Sequence, residues 1–154
     1  TRGHSYDRKG ESMMIGIIVC GHGHFATGLT SSLHLIMGEQ ENYIAVDFPA
    51  GDIKTELEAN IEEAVIAFAH MDQILVMCDL LSGSPFNTAI MLAMKQPNIH
   101  VVYGVNLGML IETVLKRNFD ATIEELMETA ITTGKQQIGM FELSVDSEED
   151  PFDE

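Results

Sequence analysis

The sequence predicts an α/β domain: a doubly wound, mostly parallel sheet in strand order 2-1-3-4 with helices on both faces. Three observations predict it. Four short runs, 13–20, 42–48, 73–78 and 99–104, are apolar and rich in Val and Ile, as strands covered on both faces are. Stretches of helical period separate them, so strand and helix alternate. Such alternation implies parallel strands joined by right-handed crossovers, which carry the helices to both faces.

The elements follow in order. After 13–20, Phe25, Leu29, Leu33, Ile36 and Met37 recur at three- and four-residue steps, and Gly38 stands where a helix C-cap belongs. Asp52 is the expected cap of a second helix, whose Ile53, Leu57, Ile61, Val65 and Phe68 form one apolar stripe. The third helix has the clearest start, Ser84 as N-cap with Pro85 at the first helical position, and stops near Gln96-Pro97. A fourth covers about Leu107 to Arg117. The fifth opens on the capping box Thr122-Ile123-Glu124-Glu125 and ends at Gly134. Residues 137–143, QIGMFEL, resemble one more strand, detached from the alternation and suited to an antiparallel edge or to another subunit.

The domain is expected over 13–145. Residues 1–12, TRGHSYDRKGES, read as an expression-tag remnant and are set aside. The segment 146–154 has six acids in nine residues and one Pro, a composition that cannot bury itself and predicts a disordered tail.

Charge and composition exclude several functions. The 154 residues carry 24 acids against 8 bases, a net charge of −16, and the 13–145 stretch alone keeps 16 acids against 5 bases. Phosphate backbones and anionic membrane surfaces need clustered Lys and Arg, so nucleic acid is not an expected partner. No apolar run approaches the roughly 20 residues that span a bilayer, and a cytoplasmic location is expected. Cys20 and Cys78 each fall inside an apolar run and read as reduced core residues that approach one another if their strands are neighbours.

In open α/β sheets, chemistry collects beyond the carboxyl ends of the strands, where strand order reverses. Two loops there are unusual: Gly21-His22-Gly23-His24 after the first strand, and Asp79-Leu80-Leu81-Ser82-Gly83-Ser84-Pro85 after the third. In a 2-1-3-4 order these strands adjoin, so His22 and Asp79 face one crevice. A carboxylate on one imidazole nitrogen fixes the tautomer and leaves the other nitrogen nucleophilic. Glycines beside His22 remove bulk, and the backbone N–H groups after Gly23 and at the Ser84 helix start offer an anion site. Together these suggest phosphoryl transfer through phosphohistidine. Other readings of the same residues are a hydrogen-bonding loop histidine, or an H-x-H pair of His22 and His24 that binds a metal with Asp79. His34, His70 and His100 have no assigned role. The chain has no dinucleotide G-x-G-x-x-G, no Walker A segment and no acidic pair after the first strand.

The pieces Ile15-Gly16-Ile17 leading into His22-Gly23, Gly38-Glu39, Asp79 with Gly83-Ser84-Pro85-Phe86-Asn87, and Gly104-Val105-Asn106 followed by Met109-Leu110 and Glu112-Thr113 occur in this order. With this set the chain resembles the IIA domain of the mannose-type phosphoenolpyruvate-dependent sugar phosphotransferase system, over about Met14 to Leu143. The resemblance implies that His22 accepts a phosphoryl group from the phosphocarrier HPr and passes it to a cognate IIB domain, upstream of membrane components IIC and IID. It places the orienting aspartate on Asp79 and the phosphate-facing helix start on Ser84; Gly23 and Gly83 are the further expected phosphate contacts. It implies a homodimer that exchanges the last, antiparallel strand, and it calls for no metal, nucleotide or flavin cofactor. An acidic surface suits a donor that docks by a basic patch. Two departures adjoin the site: Gly21 where members usually have Ser or Thr, and Ser82 where they usually have glycine. The phosphotransfer subunit of a dihydroxyacetone kinase, and a non-catalytic anion- or metal-binding regulatory domain, are the alternatives.

Overall fold

The computed structural model describes residues 4–6 and 12–144. The elements are β1 (His4–Tyr6), β2 (Ser12–His22), α1 (Phe25–Met37), β3 (Tyr43–Phe48), α2 (Lys54–Ala67), β4 (Gln73–Cys78), α3 (Ser84–Lys95), β5 (Ile99–Val102), α4 (Leu107–Asn118) and α5 (Ile123–Gln136). Strands β3, β2, β4 and β5 lie side by side and parallel, which is the expected 2-1-3-4 order. The N-terminal dozen is not wholly outside the sheet, because β1 pairs antiparallel with Ser12–Met14 at the start of β2. The rest of that dozen apart from Ser12, and the acidic segment 146–154, lie outside the described residues.

Alternation of side chains across the sheet explains the unbroken apolar runs. Ile15, Ile17 and Val19 of β2 join Leu75 and Met77 of β4 beneath α1, α4 and α5. Ile18 and Cys20 join Ile74, Val76 and Cys78 beneath α2 and α3 on the opposite face. Both faces are dry, so neither parity can be polar. A Cβ on Gly16 would stand 2.6 Å from the Phe68 ring, so this position must be bare for the end of α2 to close on the sheet.

Several boundaries differ from expectation. Ile53, not Asp52, is the N-cap of α2; its N–H donates to Glu56 Oε1 at 3.2 Å. Gly83 caps α3, so Ser84 is its first helical residue and Pro85 the second. Gly134 lies inside α5, where a Cβ would meet Met109 Cε at 2.5 Å; it serves close packing of α4 on α5 and does not end the helix. The capping box at Thr122 and Glu125 is present, with both reciprocal bonds made at 3.2 and 3.0 Å. Residues 138–144 form no strand in the single chain, and Ile138, Met140, Phe141 and Leu143 are 78, 80, 70 and 79% exposed. A strand needs a neighbour for its backbone groups, and none of the described residues pairs with this segment.

Candidate functional site

The site lies past the carboxyl ends of β2 and β4. Gly23 and Phe48 exchange two backbone hydrogen bonds, Gly23 N–H to the Phe48 carbonyl at 2.7 Å and the reverse at 3.0 Å. These carry β2 on to His22, which is therefore the last residue of a strand with a fixed backbone. Gly23 reaches this turn with φ 58, a left-handed conformation natural to glycine. Its N–H donates to the Phe48 carbonyl, and its missing side chain leaves open space at this turn.

Asp79 follows β4, and its N–H donates to the Cys20 carbonyl at 3.2 Å, tying the two strand ends together. One carboxylate oxygen, Oδ2, accepts from the His22 backbone N–H at 2.9 Å and lies 2.8 Å from His22 Nδ1. The other, Oδ1, accepts from Leu80 N–H at 2.9 Å. A carboxylate only accepts, so Nδ1 carries a proton, and in the neutral ring the lone pair is then on Nε2. The Asp79 side chain is 9% exposed and His22 44%, a held base beneath an accessible ring.

Gly83 completes the surroundings of that ring. It has φ 94, and a Cβ there would lie 2.7 Å from His22 Cε1 and 2.8 Å from Nε2. The Nε2 edge thus rests against the start of α3. No side chain caps α3, and Pro85 has no N–H to offer. The first-turn amides of Ser84 and Phe86 belong to the set that a helix leaves without intrahelical partners, at its positive end.

His24 stands apart from this pair. Its Nδ1 lies 3.1 Å from Asp47 Oδ2, and Asp47 also accepts from Thr27 N–H at 2.9 Å and Thr27 Oγ1 at 2.6 Å. Burial pushes the Asp47 carboxyl up, but the two Thr27 bonds and His24 outweigh it and hold it below the usual carboxylate range. His22 and His24 thus belong to different carboxylates and do not converge on Asp79. Among the described residues no three His, Cys, Asp or Glu side chains are grouped to hold a metal ion. Asp47 was not singled out from the sequence, although the register Gly21 to Asp47 places it beside the histidine loop.

Below the site, the Cys20 and Cys78 sulfurs lie 3.4 Å apart as buried free thiols. The hydrogen bond to Cys78 and burial push the Cys20 thiol far up, which disfavours its thiolate. A groove of about 400 Å³ runs between β3 and α2, lined by Ile44, Val46, Asp52 and Glu63 among others; neither His22 nor Asp79 lines it. The histidine sits on an open rim, and such a rim suits a protein donor better than an engulfed small molecule.

A family model described as the PTS system fructose IIA component matches residues 16–131. The chain belongs to this family of sugar phosphotransferase IIA components. Curated relatives include the mannose-specific EIIAB component of Escherichia coli strain K12, 33% identical over 129 residues that cover 82% of this chain and 39% of that protein. The sorbose-specific EIIA component of Klebsiella pneumoniae is 35% identical over 101 residues, covering 66% of this chain and 73% of that one. The IIA chain thus spans about two fifths of the mannose-specific relatives it matches. Among solved structures, the phosphotransferase component EIIA of Streptococcus agalactiae superposes with a TM-score of 0.75 at 37% identity, covering 82% of this chain and 97% of the other. The mannose/sorbose-specific IIA subunit of Enterococcus faecalis gives 0.75 at 27% identity, covering 86 and 98%. No helix among the described residues is long and apolar enough to cross a membrane.

Proposed function

We propose that the IIA chain is a phosphoryl carrier of a sugar phosphotransferase system, working in the cytoplasm between HPr and a cognate IIB domain that serves membrane components IIC and IID. The observation that carries this reading is the 2.8 Å contact between His22 Nδ1 and Asp79 Oδ2, with Nε2 turned to the start of α3. The Nε2 lone pair attacks phosphorus on the donor's phosphohistidine. The donor's P–N bond breaks, its electron pair returns to the donor ring, and an Nε2–P bond forms. The proton on Nδ1 stays, so the phosphorylated ring is cationic and Asp79 offsets its charge. Ser84 and Phe86 amides at the start of α3 receive phosphoryl oxygens, and positioning supplies most of the catalysis. Exposed Leu80 and Leu81 give the rim an apolar surface for a protein partner.

Incubation with phosphoenolpyruvate, enzyme I and HPr tests the reading. An acid-labile phosphate on His22, absent from His22→Ala and retained in His24→Ala, is the expected result. No label in the wild type, or a label that survives His22→Ala, overturns it.

The same reading includes a homodimer. The exposed apolar residues of 138–143 and the outer edge of β5, which among the described residues pairs with β4 alone, are complementary needs that a second copy meets. Light scattering on the intact chain and on one ending at Gln137 checks this: a dimer that becomes a monomer is expected, and an intact chain that is monomeric at micromolar concentration refutes it.

A further inference from the structure

Asp79 reaches His22 across the bare backbone of Gly21. A Cβ on Gly21 would stand 2.6 Å from Phe25 Cδ1, 3.0 Å from Phe25 Cβ and 3.0 Å from Asp79 Cγ. The Phe25 ring and the Asp79 carboxyl therefore both border the space that a Cβ on Gly21 would take, and the ring fills most of the room that a side chain at 21 would need. Phe25 is the first residue of α1 and packs against the core beneath that helix, so its ring has a firm seat. Hydrogen bonds fix the two Asp79 oxygens, Oδ2 toward His22 and Oδ1 toward Leu80.

We propose that Phe25 is a positioning residue for phosphoryl transfer: seated over Gly21, its ring is the stop against which Asp79 rests, and it keeps Oδ2 aimed at both nitrogen donors of His22. This rests on the phosphocarrier reading of His22. The aspartate side chain has two soft torsions, and rotation toward β2 is the one that would take Oδ2 away from Nδ1. The ring and the missing side chain share one space, so the sizes of residues 21 and 25 are coupled. A larger residue at 21 requires a smaller one at 25.

The test compares Phe25→Ala, Phe25→Leu, Gly21→Ser and the double variant Gly21→Ser/Phe25→Ala. The His22 tautomer is read by ¹⁵N NMR on unphosphorylated protein, and transfer from phospho-HPr is measured separately. Phe25→Ala is expected to turn a single Nδ1–H tautomer into a mixture and to lower kcat about tenfold, with KM for HPr nearly unchanged. Phe25→Leu keeps an apolar anchor, holds the fold and shows a smaller change of the same kind. Gly21→Ser behaves like Phe25→Ala, and the double variant recovers most of the loss, because residues sharing one space couple. Single-site losses that merely multiply in the double variant, or an unchanged tautomer in both Phe25 variants, overturn the proposal. If the tautomer shifts but the wild type accepts no phosphate, the positioning role stands and the phosphocarrier reading falls.

Discussion

Replacing Asp79 with Asn removes one charge and leaves the shape of the side chain intact, which makes it a sharp probe of the transfer mechanism. In the wild type, Oδ2 faces His22 N–H and Nδ1 at 2.9 and 2.8 Å, and Oδ1 faces Leu80 N–H at 2.9 Å. All three partners are donors, so the two oxygens of a carboxylate satisfy them together. An amide has one oxygen only. If that oxygen faces His22, the amide NH₂ meets Leu80 N–H; if it faces Leu80, the NH₂ meets the His22 amide and drives the ring proton from Nδ1 to Nε2, where it blocks attack. Either orientation sets donor against donor and loses the charge that offsets the phosphorylated ring. A charge-assisted hydrogen bond contributes about 1.5–3 kcal/mol, so transfer from phospho-HPr should slow roughly 10- to 150-fold. Rapid-quench measurement of the phosphorylation rate, with the ¹⁵N shifts of His22 as a structural control, is the assay. A variant that transfers within about twofold of wild type while keeping Nδ1–H would refute the assignment of Asp79 as orienter and counter-charge.

Three further outcomes follow from the geometry. Gly83→Ala places a methyl 2.7–2.8 Å from the Nε2 edge of His22, on a backbone with φ 94, and should cut phosphorylation by about 100-fold, whereas Gly23→Ala has open space around its methyl and should cut it far less. Equal losses in the two variants, read by radiolabel uptake, would count against Nε2 as the acceptor. Arg117, buried with no carboxylate ion pair among the described residues and lowered to about 10 by burial, donates to the Glu41 and Asn42 carbonyls at 2.7 and 2.6 Å. Arg117→Met leaves the Glu41 carbonyl without this donor and should lower stability by about 1–3 kcal/mol in urea unfolding; equal or higher stability would mean that the buried charge costs more than its bonds return. Asp47 is held below the usual carboxylate range, so its support for the start of α1 is fully present above the unfolded value of about 3.9 and is lost as pH falls through the folded one. The Thr27 amide should report that transition in acid by NMR, and Asp47→Asn should abolish it; a titration that survives in the variant would reassign it.

The strand order and the sheet's two covered faces were legible because burial on both sides demands unbroken apolar runs, and the runs at 73–78 and 99–104 have no polar alternation to suggest otherwise. Helix starts were readable where a side chain does the capping, as at Thr122, and slipped by a residue where glycine or backbone does it, as at Gly83 and Ile53. The detached 137–143 segment was recognisable by composition but has no strand partner among the described residues.

The sequence by itself determined the α/β class, the placing of His22 and Asp79 beyond two neighbouring strands, and the family motifs around them. Local pattern suffices there, because hydrophobic period and turn chemistry are properties of adjacent residues. Only the tertiary structure decided that Gly23's amide is spent on Phe48, that His24 belongs to Asp47, that Arg117 is buried against the Glu41–Asn42 turn, and that Phe25 and Asp79 both border the bare Cα of Gly21. Each of those joins residues whose contact depends on how strands and helices pack, and packing distances are not written in the spacing of one chain segment.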